Sequence, residues 1–276
     1  MTEPFKLAGV IGWPVAHSLS PRLHSHWLQQ HGIAGAYVPM AVAPDKLAEA
    51  LAGLSALGFR GCNVTVPHKE VAAKLVPHLS PRAARIGAVN TIVVRADGQM
   101  EGDSTDGEGF MAALTTALPH WPLPQAAVVV GAGGAARALL AALQDAGVKD
   151  LRLLNRTRER ANDVAAQLGG MTVFGWDEME AALAGCGLVV NSTTLGMVGQ
   201  PELALPLTVL AKNAVVYDVV YNPAITPLVQ QARALGFVGL NGLGMLLHQA
   251  VPGFERWFGV RPVVGPEVVA LMEKAL

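Results

Sequence analysis

Two cysteines in 276 residues, Cys62 and Cys186, cannot build a disulfide framework, and their spacing matches no metal-ligand pattern. Both read as small buried hydrophobes. Charge is scarce as well: 15% of residues are charged, the formal net charge is −1 and no long run carries one sign. Nucleic-acid binding by counterion release needs clustered Lys and Arg, so no nucleic-acid partner is expected. No apolar run reaches the ~20 residues of a membrane span, because Arg137, Asp145, Lys212 and Asp218 interrupt the longest stretches. The opening MTEPFKLAGV carries an acidic residue and lacks a basic region ahead of a long apolar stretch, which argues against a secretory signal. A cytoplasmic protein without a membrane partner is the expectation.

What is plentiful is apolar: 51% of residues, enough for a large core in one large or two modest domains. Lys6–Ile11, Tyr37–Val42, Gly61–Val66 and Thr91–Val94 read as short buried strands. Ser20-Pro21, Ser80-Pro81 and Thr226-Pro227 each pair an N-cap hydroxyl with a proline at the first helical position. Gly32, Gly58, Gly147, Gly169 and Gly236 close helices. Leu118–Pro124 holds three prolines in seven residues and must be a connection. Beyond it come strands at Ala126–Val130, Asp150–Leu154, Gly187–Asn191 and Ala214–Val220, with helices from about Gly134 and Thr157. The alternation implies two α/β domains with parallel sheets covered on both faces.

Ala126–Val130 runs straight into Gly131-Ala132-Gly133-Gly134-Ala135-Ala136, a G-x-G-x-x-A pattern between a strand and a helix. Gly131 permits the tight turn, Gly133 lets backbone approach a pyrophosphate and Ala136 keeps the helix close to the strand. Free N–H groups and the dipole at the helix start favour that anion. The next strand ends at Asn155-Arg156-Thr157-Arg158-Glu159-Arg160, where an NAD site usually carries Asp or Glu. Guanidinium groups there suit a 2′-phosphate, so NADP is the expected cofactor.

A nicotinamide enzyme reducing a ketone must also deliver a proton to the forming alkoxide. His24 and His26 are the only metal-like grouping among eight histidines and lie on different helix faces, so no metal is expected. None of the three tyrosines has Lys four residues on, which excludes a Tyr-x-x-x-Lys pair. Three loops of the first half remain. Ser18 and Ser20 put two hydroxyls at a helix start, a receptor for a carboxylate, although capping alone also explains Ser20. Alternation puts Asn63 and Thr65 on one strand face, and Lys69 opens the next helix, where a cation opposes the dipole. By spacing alone a surface lysine is the stronger reading of Lys69, with a catalytic role as the alternative. Asp103 to Asp106 offers carboxylates, with helix capping by Thr105 or Asp106 as the alternative.

Taken together the segments resemble the shikimate dehydrogenase family along nearly the whole chain. They are His17-Ser-Leu-Ser-Pro21, Asn63-Val-Thr-Val-Pro-His-Lys69, Gly87-Ala-Val-Asn-Thr91, Thr105-Asp-Gly107, Gly131-Ala-Gly-Gly-Ala135, Asn155-Arg-Thr157, Asn191-Ser-Thr-Thr-Leu-Gly-Met197, Tyr221-Asn-Pro223 and Gly244-Met-Leu-Leu-His-Gln249. The resemblance implies NADPH-dependent reduction of 3-dehydroshikimate to shikimate, a step toward aromatic amino acids, by a monomer or homodimer. Carried over by position, Lys69 and Asp106 would be the catalytic pair. Ser18 and Ser20 would bind the substrate carboxylate, and Thr65, Asn90, Tyr221 and Gln249 the carboxylate or ring hydroxyls. Gly131, Ala132, Gly133, Gly134 and Ala135 would cradle the pyrophosphate. Asn155, Arg156, Thr157 and Arg160 would surround the adenosine ribose and its phosphate, with Val219, Gly242 and Met245 near the nicotinamide.

The same resemblance implies an N-terminal α/β substrate domain of residues 1–106, rejoined by C-terminal helices from 243–276. Residues 107–242 would form a Rossmann-like NADP-binding domain, with the active site in the cleft between the two. Two positions depart from the family pattern: Ser104, usually Asn, and Pro81, commonly acidic. A quinate or quinate/shikimate dehydrogenase is the nearest alternative, though such enzymes often favour NAD and alter the serine pair. A non-catalytic NADP(H)-binding regulator is the alternative of another class, and it has no need of Lys69 and Asp106.

Overall fold

The computed structural model describes residues 5–276, so the opening residues on which the secretory-signal reading rests lie partly outside it. The chain divides into two compact units, Met1–Gly109 with Leu246–Ala275 and Phe110–Met245 with Leu276.

The first unit holds strands β1 (Lys6–Gly12), β2 (Gly35–Ala41), β3 (Phe59–Val64), β4 (His78–Leu79), β5 (Thr91–Val94) and β6 (Met100–Asp103), in sheet order β2-β1-β3-β5-β6-β4. Its helices are α1 (Ser20–Gln30), α2 (Leu47–Ala56), α3 (Lys69–Leu75) and α4 (Pro81–Ile86). β1 pairs in parallel with β2 and β3, but β5 runs antiparallel to both β3 and β6. The expected all-parallel sheet is therefore corrected to a mixed one. The cause is local: β5 and β6 are joined by a tight turn, with Gly98 N–H donating to Arg95 O at 2.9 Å, too short for a parallel crossover.

One face of this sheet buries Ile11, Cys62, Val64 and Ile92 against Leu47, Leu51 and Leu54 of α2 and against Ala72 and Ala83 of α3 and α4. On the other side His24 and Trp27 of α1 pack with Tyr37 and with Phe254 and Trp257 near the C-terminus. The Trp257 ring N–H donates to Ile92 O at 2.9 Å, tying that aromatic layer to β5.

Ser80 and Thr226 cap their helices as read, accepting from Ala83 N–H and Val229 N–H at 3.2 Å each. Ser20 does not. It is itself the first residue of α1, and its backbone N–H instead donates to Ser18 Oγ at 3.3 Å. Thr65 also departs from expectation: β3 ends at Val64, and Thr65 begins the loop that follows.

The second unit carries β7 (Ala126–Val130), β8 (Asp150–Leu154), β9 (Thr172–Phe174), β10 (Leu188–Asn191), β11 (Val215–Asp218) and β12 (Val238–Leu240). They form a wholly parallel sheet of order β12-β11-β10-β7-β8-β9, with the order reversing at β7. Strands buried on both faces read as continuous apolar runs, as Ala126–Val130 does. Around them lie α5 (Asp106–Ala117), α6 (Gly134–Asp145), α7 (Arg158–Leu168), α8 (Met179–Leu183) and α9 (Pro227–Ala234). The unit boundaries fall inside α5 and α10 (Leu243–Phe258), and α11 (Pro266–Glu273) closes the chain. Among the described residues no helix is long and apolar enough to cross a membrane.

Candidate active site

Within the first unit, β3, α3, β5 and the start of α5 converge on one buried polar cluster. Lys69 is the first residue of α3, and its backbone carbonyl accepts from Val89 N–H at 2.9 Å, locking that helix start to the segment before β5. The neighbouring His68 is buried and its ring bonds Val42 O at 2.8 Å, so the turn ahead of α3 is anchored on both sides. Lys69 Nζ donates to Asp106 Oδ2 across 37 residues of chain. Their side chains are only 14% and 5% exposed. A pair so withdrawn from water is costly to leave half made, since either charge alone would be buried without compensation.

Asn90 completes the arrangement. Its Nδ2 lies 2.9 Å from Asp106 Oδ1, 3.0 Å from Thr105 Oγ1 and 3.1 Å from Gln249 Oε1. Its Oδ1 accepts from Thr105 N–H at 2.8 Å, and Thr105 Oγ1 donates to Gln249 O at 2.8 Å. Lys69, Asn90, Asp106 and Gln249 are thus brought into one network. Ser20 is buried and Ser18 half-buried beside it in sequence. Tyr37 donates to Asn63 Oδ1 at 2.6 Å, and Asn63 Nδ2 donates to Asn90 O at 3.0 Å. Burial pushes the Tyr37 phenol up, so it stays a neutral donor. A polar chain therefore runs from Tyr37 through Asn63 to Asn90. Thr65 anchors its loop through its backbone, donating to Ile11 O at 2.8 Å.

Sequence reasoning offered Asp103 only as one carboxylate of its loop and gave it no partner; the structure pairs it with Arg82. Burial alone would raise its carboxyl, but the Arg82 guanidinium, the Ser80 hydroxyl and the Ser104 N–H outweigh that and bring it down to about 2. The departure at Ser104 leaves this backbone contact intact, at 2.8 Å to Asp103 Oδ1.

In the second unit the Gly131 N–H donates to Leu154 O at 2.8 Å, and its φ of +108° is open only to glycine. A Cβ there would meet Ser192 Oγ and Thr193 Cγ2, both at 2.8 Å. Gly133, at the cap of α6, differs: a Cβ would meet nothing within 4 Å. The backbone there faces open space, ahead of the helix N–H groups of Gly134 and Ala135 that have no acceptor within their own helix. This geometry fits a dinucleotide pyrophosphate.

Asn155 Nδ2 donates to Thr157 O at 2.7 Å, closing the turn that presents Arg156 and Thr157, both exposed. Arg158 is drawn away to Glu178, which explains one basic residue at the α7 start without a ligand. Arg156 has no carboxylate partner among the described residues, and Arg160 is exposed. These residues fit a ribose 2′-phosphate. Val219 and Gly242 touch: a Cβ on Gly242 would lie 1.9 Å from Val219 O, so only glycine allows the approach. Met245 is buried nearby in the chain, and Tyr221 belongs to this unit by chain position, whereas Ser18, Ser20, Thr65, Asn90 and Gln249 belong to the first. Beneath Val219, the buried Asp218 accepts from Asn191 Nδ2 at 2.8 Å, Val220 N–H at 3.0 Å and Thr226 Oγ1 at 2.6 Å. Burial nonetheless raises its carboxyl.

Fold and geometry together define an α/β protein with a Rossmann-type dinucleotide-binding unit and a buried lysine–carboxylate pair in its other unit. Family models match in three stretches: shikimate dehydrogenase substrate binding domain over residues 10–92, shikimate / quinate 5-dehydrogenase over 122–198 and shikimate 5′-dehydrogenase C-terminal domain over 242–276. The shikimate dehydrogenase (NADP(+)) of Paramagnetospirillum magneticum is 56% identical over 274 residues, 99% of each chain. Shikimate 5-dehydrogenase from Thermus thermophilus, solved with NADP(H) and shikimate, is 34% identical with a TM-score of 0.86, covering 98% of this chain and 100% of its own. Quinate dehydrogenase from Corynebacterium glutamicum, solved with NAD, is 32% identical with a TM-score of 0.86, covering 99% of each. The chain belongs to the shikimate dehydrogenase family.

Proposed function

We propose that this chain is an NADP-dependent shikimate dehydrogenase, reducing 3-dehydroshikimate to shikimate with NADPH and reversing the step with NADP⁺. The observation that carries the reading is the buried Lys69–Asp106 pair with Asn90 on the second carboxylate oxygen. Bound NADPH supplies the hydride. Lys69 Nζ gives a proton to the oxygen that becomes the alcohol, and accepts it back in the oxidative direction. Asp106 orients Lys69 and holds the same oxygen, while Asn90 keeps Asp106 from turning. Ser18 and Ser20 receive the substrate carboxylate, and Thr65, Asn90, Tyr221 and Gln249 bind the carboxylate or the ring hydroxyls.

The glycine turn from Gly131 to Ala135 takes the pyrophosphate; Asn155, Arg156, Thr157 and Arg160 take the adenosine ribose and its phosphate. Val219, Gly242 and Met245 line the nicotinamide end. The relatives' names support the substrate and cofactor, and Asn155 with Arg156, in place of an acidic residue, supports NADP over NAD. Lys69→Ala tests the assignment. It should lower kcat by ~10²–10⁴-fold, the scale of acid–base groups, with little change in shikimate affinity by calorimetry. A kcat within a few-fold of the parent enzyme would leave Lys69 a binding residue only.

A further inference from the structure

Arg82 reaches both sides of Asp106 along the chain. Its Nε and Nη2 donate to Asp103 Oδ1 and Oδ2, each at 2.6 Å, three residues before Asp106. Its Nη1 donates to Glu108 Oε2 at 2.9 Å, two residues after. One planar guanidinium therefore spans the turn at which β6 ends and α5 begins, with Asp106 at the bend. The fork geometry needed for this is peculiar to arginine, because an ammonium offers no rigid pair of parallel donors.

The base of the bracket is equally fixed. Ser80 Oγ donates to Asp103 Oδ1 at 2.6 Å, Ser80 N–H to Gly102 O at 2.9 Å, and Asn90 N–H to Asp103 O at 3.1 Å. Pro81, where the sequence departs from its family pattern, sits between Ser80 and Arg82 at the first helical position of α4 and presets the backbone there. Two other arginines approach the same carboxylates from farther off, Arg256 at 3.7 Å from Asp103 and Arg261 at 4.0 Å from Glu108. Among the described residues, Arg82 alone touches both flanks at hydrogen-bond distance.

We propose that Arg82 is a positioning residue for the reaction: it clamps Asp103 and Glu108 so that Asp106 is held against Lys69. The inference rests on the assignment of Lys69 and Asp106 given above. Loss of the clamp leaves the groups that bind substrate in place but lets the Asp106 carboxylate wander, and small misplacements of this kind lower turnover steeply. Arg82→Ala should therefore reduce kcat about tenfold while KM for shikimate and for NADP⁺ stays within about twofold. Arg82→Lys, able to meet one flank but not both, should fall between. Glu108→Gln, half-exposed and mild for folding, should lower kcat in the same direction by a smaller factor.

Steady-state kinetics of these variants beside Lys69→Ala, with melting temperatures, separates the possibilities. A lowered melting temperature with kcat near that of the parent in both Arg82→Ala and Glu108→Gln would make Arg82 structural only and overturn the proposal. An impaired Lys69→Ala would in that case leave the catalytic assignment standing. An unimpaired Lys69→Ala would overturn both.

Discussion

Asn90 Nδ2 donates to Asp106 Oδ1 at 2.9 Å, on the carboxylate oxygen that Lys69 does not hold. The two oxygens of one carboxylate are thereby divided between the Lys69 amine and a fixed amide. The same amide meets Gln249 and Thr105, so a single side chain sets three others.

Replacement of Asn90 by Ala strands Asp106 Oδ1, Gln249 Oε1 and the Thr105 N–H in a buried setting. Each unmet group costs about 1–3 kcal/mol. The expected result is a loss of at least about 3 kcal/mol in urea unfolding, together with a drop in kcat/KM of at least about tenfold. A variant as stable and active as the parent would show that Asn90 does not organise the cluster.

In the proposed reading Arg156 carries the cofactor preference. A charge-assisted bond to a 2′-phosphate is worth about 1.5–3 kcal/mol, which corresponds to roughly 10–100-fold in binding. Arg156→Ala should raise KM for NADP⁺ by that order and leave KM for NAD⁺ within about twofold. Equal effects on the two cofactors would remove Arg156 from the phosphate site.

His24 gives the fold an acid sensitivity that lies outside the Lys69–Asp106 pair. It is fully buried, stacked on Tyr37 with ring centroids 3.9 Å apart, and burial lowers its pKa from 6.5 to about 3. A folded-state pKa below the unfolded value contributes stability that is present above pH 6.5 and lost as pH falls toward 3. At pH 5 the loss from this group alone is about 2 kcal/mol. Unfolding curves at pH 7 and pH 5 should therefore separate for the parent and draw together for His24→Phe, which keeps the stack. An undiminished pH dependence in His24→Phe would assign the effect to other groups.

Much of the second unit was legible from the chain, because its signals are local. β7 and β8 occupy the residues expected, and α6 begins at Gly134, where the glycine pattern places it. The first unit was harder. β6, Met100–Asp103, contains a glycine and two acids and shows no apolar alternation, so its hairpin with β5 escaped notice and the sheet was expected to be parallel. The two-residue β4 has too little length to leave a pattern. Ser20 looked like a cap because Ser-Pro usually is one, yet it is the first residue of the helix and Ser18 Oγ takes its N–H.

At the site the division is the same. The contact between Lys69 and Asp106 spans 37 residues, and no spacing rule predicts it; only the family resemblance linked them. Arg82 and Tyr37 act through partners distant in sequence, so neither motif nor periodicity marked them, and the loop that offered Asp103 gave no sign of its arginine partner.

The most direct test is steady-state oxidation of shikimate and of quinate, each with NADP⁺ and with NAD⁺, followed by the absorbance of the reduced nicotinamide. Turnover confined largely to shikimate with NADP⁺ is the predicted result. Preference for quinate or for NAD⁺, or tight NADPH binding with no turnover, would contradict it.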